Sequence, residues 1–147
     1  GQDLDSREMM LVAAMMGATA FQKGLGAMHA LAHPLGALYD AHHGALNAVL
    51  MPYVLSANLK TVDETLTRLA RYLDLERADA SGLLEWVLEL RTTLDIPHTL
   101  RDLGIDDRQV ERIGLMAVAD PSAATNPIEF NADEYTRILQ NALDGVL

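Results

Sequence analysis

The sequence predicts an all-α fold, a compact domain of about seven helices. Three observations carry this. Apolar residues recur at helical spacing with charges opposite, as in Leu66, Leu69, Ala70 and Leu73. No segment gives a convincing period-two alternation of a half-buried strand. Ala, Leu and Met, all strong helix formers, fill the periodic segments, while Gly, Pro, Asn and Asp gather between them.

The first helix is expected from about Ser6 to Phe21, with Asp3, Asp5 and Ser6 as N-terminal capping chemistry. Its Met9-Met10 and Met15-Met16 pairs read as core filling. Gly24 and Gly26 then break the chain, and a second helix follows from about Ala27 to Tyr39. Pro34 cannot donate to the Ala30 carbonyl and is expected to kink it. In "HHGALNAVLMPYVLSANL" the run Val49, Leu50, Val54, Leu55 allows a strand, but Pro52 argues for a kinked, buried helix. "TVDETLTRLARYLDL" and "ASGLLEWVLELRTTLDI" each predict an amphipathic helix, with Trp86 as a core anchor in the second. "IPHTLRDLGI" reads as a turn and a short helix, with His98 as a surface or capping residue. Two further helices are expected in "DDRQVERIGLMAVAD" and "NADEYTRILQNAL", each opening on acidic residues that suit a helix N-terminus. The loop "DPSAATNPIEF" separates them.

The chain has 147 residues, half of them hydrophobic, enough for one domain with a real core. A formal net charge of −10 argues against nucleic acid or anionic lipid as the main partner, since both need a basic face. With no cysteine there is neither a disulfide frame nor a thiolate metal site. No apolar run approaches the roughly 20 residues of a membrane span, and no secretory signal opens the sequence. A cytoplasmic protein is the expectation.

The chemistry concentrates in "GLGAMHALAHPLGALYDAHHG", which holds four of the five histidines among small and apolar residues. His29 and His33 are four apart, which puts both rings on one helix face. Imidazole is a common ligand for iron, zinc, copper and nickel. A turn at Asp40-Ala41 can bring His43 back toward His29, with Gly36 and Gly44 giving the room. His42 and His43 are adjacent and cannot point the same way. One is expected to be a ligand or catalytic group and the other to face elsewhere.

These residues resemble the iron-dependent, or group III, alcohol dehydrogenases. The resemblance lies in Gly24-Leu25-Gly26, His29, Ala32-His33-Pro34-Leu35-Gly36, His43-Gly44, Asn47-Ala48-Val49 and Pro52. It extends through "LDIPHTLRDLGI" and "NPIEFNADEYTRILQNAL", and so covers essentially the whole chain. The resemblance implies the dehydroquinate synthase-like helical domain, here a single domain over residues 1–147 without the N-terminal α/β domain that binds NAD or NADP. It implies His29 and His43 as metal ligands, for Fe(II) or Zn(II). It places His33 beside the metal as a proton relay or orienting group, and leaves His42 unassigned. The family's other two ligands, an Asp and a His four residues later, have no counterpart here. Gly24-Leu25-Gly26 is not a dinucleotide fingerprint, because no strand precedes it and no third Gly follows at the right spacing.

The function so implied is that of an NAD(P)-dependent, Fe(II)-dependent alcohol dehydrogenase, interconverting alcohols and aldehydes or ketones by hydride transfer. This chain by itself is expected to be inactive. Two alternatives stand beside it. One is a standalone helical module that binds a metal or a partner without catalysis. The other is a relative such as the zinc-dependent glycerol dehydrogenases or the dehydroquinate synthases. A small alcohol or carbonyl compound is the expected substrate. Separation from a cofactor domain is expected to expose apolar surface and favour a homodimer or other self-association.

Overall fold

The computed structural model describes residues 1–147, and no strand occurs in it. Six α-helices follow one another: α1 (Leu4–Ala20), α2 (Gly26–Tyr39), α3 (His43–Tyr72), α4 (Ala80–Thr93), α5 (Val110–Ala119) and α6 (Ala132–Asp144). Short 3-10 turns lie at Phe21–Lys23, Arg101–Leu103 and Pro121–Thr125. No helix is long and apolar enough to cross a membrane.

The count of six rather than about seven has a local cause. The two helices expected on either side of Lys60-Thr61 are one 30-residue helix, α3. Neither residue ends a helix: both keep their backbone N–H, and neither adopts a positive φ. Pro52 is fully enclosed within α3, and Pro34 is likewise buried within α2, so both helices continue through their prolines. Packing on neighbouring helices offsets the backbone hydrogen bond that each ring removes. The short helix expected near Pro97 is only the turn Arg101–Leu103, closed by Gly104 at φ +79°.

Caps define the other ends. Asp79 accepts from the Gly82 N–H at 2.8 Å to open α4. Asn131 and Glu134 form a reciprocal capping box on α6, at 3.0 and 2.8 Å.

The main core lies where α2, α3, α5 and α6 meet. Leu31, Leu35, Leu46, Leu50, Ile113, Tyr135, Leu139 and Leu143 fill it. Each of the leucine and isoleucine side chains contributes about 1.5–3 kcal/mol of transfer free energy on burial. The α5–α6 crossing is close because Gly114 has no side chain: a methyl there would collide with Thr136 and the Ala132 carbonyl. A smaller cluster of Leu66, Ala70, Ala80 and Leu83 joins the far end of α3 to α4. Trp86 packs on the flank of that cluster and is only half-buried, so it is not the core anchor its size suggested.

The largest departure from expectation is α1. None of its residues is buried, and Met9, Met10, Met15 and Met16 are 70, 68, 64 and 65% exposed. The methionine pairs are therefore not core filling within this chain. The helix is apolar on more than one face, and its caps and propensity form it locally without a packed side.

Candidate functional site

The histidines gather where α2 and α3 meet. α2 carries His29 and His33 on successive turns, and a left-handed residue, Asp40 at φ 52°, ends that helix and reverses the chain into α3. His43 then lies on the first turn of α3. Ring centroids are 5.3 Å apart for His29 and His43, 5.9 Å for His29 and His33, and 5.7 Å for His33 and His43. The expected convergence of His29, His33 and His43 is thus present. His42 turns away: its Nδ1 accepts from the Ala45 N–H at 3.3 Å and caps α3. That decides which of the adjacent pair faces the cluster.

Asn47, one turn beyond His43, organises two of the rings. Its Nδ2 donates to Nε2 of His43 at 3.0 Å and to Nε2 of His29 at 3.3 Å. Both Nε2 atoms therefore aim at one point. Asn47 Oδ1 is buried with no partner. His29 is 6% exposed, with the edge of its ring against Phe21 at 5.9 Å. Burial, followed by the nearby His43 and His33, pushes its pKa below the ordinary imidazole value of 6.5, and the Leu25 carbonyl opposes this. His29 is accordingly a neutral imidazole at neutral pH. No three His, Asp or Glu side chains of this chain are grouped closely enough to hold a metal ion. The donor set that converges here is a pair of imidazoles.

His33 differs from its neighbours. Its Nδ1 lies 2.8 Å from Asp120 Oδ2, and its side chain is 42% exposed. Asp120 ends α5 and opens the turn Pro121–Thr125, where its Oδ1 accepts from the Ser122 N–H at 2.8 Å. Burial raises the Asp120 pKa, but hydrogen bonds from His33 and Ser122 outweigh it and hold the carboxyl below the usual range.

The same segment fixes the start of α2. Thr125 Oγ1 accepts from the N–H groups of Leu25 and Gly26 at 3.1 and 3.2 Å, and Asn126 Oδ1 accepts from Ala27 at 3.1 Å. These are the donors a helix N-terminus leaves unpaired. The approach needs Gly24 at φ +100°, where a Cβ would run into Thr125. A cleft of about 370 Å³ opens beside Asp120, lined also by Val118, Asn126 and Phe130.

Sequence reasoning missed Asp120, Thr125 and Asn126, which read as loop. Asp-Pro at 120–121 signals a local cap, but nothing in the sequence ties it to His33. Asn47 was legible only as part of a motif. His98 is exposed as expected, with its Nδ1 accepting from the buried Arg91 at 2.8 Å.

Residues 1–143 match the family model described as the Fe-containing alcohol dehydrogenase family, C-terminal. The chain belongs to the iron-containing alcohol dehydrogenase family and corresponds to its C-terminal part. It is similar to a 4-hydroxybutyrate dehydrogenase of Cupriavidus necator (40% identical, covering 97% of this chain and 39% of the relative). It is similar also to a 1,3-propanediol dehydrogenase of Citrobacter freundii (36% identical, covering 97% of this chain and 38% of the relative). The solved structure of an alcohol dehydrogenase from Oenococcus oeni superposes with a TM-score of 0.90 at 31% identity, covering 97% of this chain and 39% of that one. The chain thus spans about two fifths of the length of these relatives.

Proposed function

We propose that this chain is the helical, metal-binding part of an NAD(P)-dependent alcohol dehydrogenase that interconverts small alcohols with aldehydes or ketones. The observation that carries the reading is the convergence of His29 Nε2 and His43 Nε2 on one amide donor, Asn47 Nδ2. Two imidazoles whose Nε2 atoms aim at one point suit a divalent transition metal.

In this reading His29 and His43 hold Fe(II), or Zn(II), through Nε2, with further ligands from outside this chain. When bound, the metal supplies Lewis acidity toward the substrate oxygen. The chain's own residues do the rest. His29 is itself buried, which keeps water from its side of the pair. His33, with Nδ1 engaged and Nε2 free, holds or passes the proton that leaves the alcohol as hydride departs from the carbinol carbon. The nicotinamide belongs to an α/β domain outside these residues, and the expected location is the cytoplasm. The exposed apolar surface of α1 favours self-association.

Alanine at His29 and at His43, in the longer enzyme, tests this. Each variant is expected to lose most of its bound metal by elemental analysis and most of its alcohol oxidation. Unchanged metal content and turnover in both would sink the reading. The same analysis of anaerobically purified enzyme decides between iron and zinc.

A further inference from the structure

We propose that Asp120 is a positioning residue for His33, holding the imidazole in the tautomer that leaves Nε2 as a proton acceptor. The inference deepens the proposed function and rests on it.

His33 is 42% exposed, so little packing restrains its ring, whereas the Asp120 side chain is only 13% exposed. The carboxylate is the fixed partner of the two. One of its oxygens is tied to the Ser122 N–H at 2.8 Å, at a junction where α5 stops and a 3-10 turn begins. The other stands 2.8 Å from His33 Nδ1. An ionised carboxylate can only accept, so the proton of this bond resides on Nδ1 and the Nε2 lone pair is left free. A proton arriving at Nε2 then creates a cation facing an anion already in place. That is the arrangement in which a third group orients a catalytic base.

The arrangement also resists drift. Thr125 and Asn126, five and six residues after Asp120, cap the start of the helix that carries His33. The carboxylate and the imidazole are therefore fixed to one another at two points along α2. A capping role for Asp120 alone would require only the Ser122 bond. The second oxygen on His33 is what a purely local role leaves unexplained.

Histidine-ring ¹⁵N spectra of the metal-free chain, taken well above the imidazole titration range, test the proposal without any reaction. His33 is expected as the Nδ1–H tautomer in the wild type. Asp120→Asn keeps a neutral acceptor and should retain that tautomer. Asp120→Leu should shift it toward Nε2–H while circular dichroism stays native. An Nε2–H tautomer in the wild type overturns the proposal, as does a tautomer unmoved by Asp120→Leu. In the longer enzyme, Asp120→Leu is expected to lower kcat roughly hundredfold with KM for the alcohol little changed, and Asp120→Asn, which keeps the tautomer, to lower it less. An unchanged kcat also overturns it. Failure of the underlying reading shows separately, as alcohol oxidation that survives His33→Ala.

Discussion

Asn58 of α3 and Asn126 of the segment that caps α2 face each other as a reciprocal amide pair. Asn126 Nδ2 donates to Asn58 Oδ1 at 2.9 Å, and Asn58 Nδ2 donates to Asn126 Oδ1 at 3.2 Å. Asn126 also donates to the Ile128 carbonyl at 2.8 Å, and Asn58, only 5% exposed, donates to the Val54 carbonyl at 3.0 Å. One polar knot thus links α2, α3 and the loop before α6.

Breaking this knot leaves buried donors and acceptors unpaired. Asn58→Ala and Asn126→Ala are each expected to destabilise the fold by about 1–3 kcal/mol. The double variant should cost less than the sum, because the two share their bonds. Urea unfolding of the three variants gives the coupling energy, and strict additivity would show the pair to be independent.

Gly114 offers a sign test. On helix propensity alone, Ala should stabilise the middle of α5 by about 0.5–1 kcal/mol. The added methyl would, however, strike the α6 backbone at the Ala132 carbonyl. Overpacking there is expected to win, so Gly114→Ala should destabilise by about 1–3 kcal/mol in thermal or denaturant unfolding. A gain in stability would mean that α6 shifts freely.

For α1 the expectation is the reverse of a core helix. Replacing Met9, Met10, Met15 and Met16 with Glu or Lys removes apolar side chains that are each about two-thirds exposed. Core stability should stay within about 0.5 kcal/mol per substitution. Self-association of the chain, read by sedimentation, should fall sharply. A large loss of stability would instead place these methionines against a packed partner.

The Asp120 carboxyl supplies a pH dependence. Its folded pKa lies below the reference 3.8, so the unfolded chain binds more protons through that range. Its contribution to stability is fully present above about pH 4 and is lost as pH falls through the folded value. Relative to Asp120→Asn, the wild type is therefore expected to hold an advantage at neutral pH that disappears in acid. Unfolding curves of both proteins across the acid range check this, and a pH-independent difference would remove the carboxylate charge from the account.

Much of this protein could be read from its residues. The amphipathic segments around Leu66, Leu83, Ile113 and Ile138 are helices because their apolar spacing leaves one face to bury. The cluster of His29, His33 and His43 was legible because a turn of helix and a short reversal bring rings together through local geometry alone. His42 needed coordinates, since two adjacent side chains diverge and only the cap on Ala45 shows which one turns away. The fusion of two expected helices into α3 was hidden for a similar reason. A weakly polar junction at Lys60-Thr61 ends a helix only if the surrounding packing lets it.

By itself, then, the sequence determined the helical class, the buried faces of the later amphipathic helices and the histidine cluster, all consequences of interactions within a few turns of chain. Only the tertiary structure decided that Asp120 meets His33, that Thr125 and Asn126 cap α2, and that α1 stands uncovered. Those relationships join residues far apart in the chain, and periodicity carries no information across such distances. They depend on how the helices pack, and the packing is set by the whole core at once.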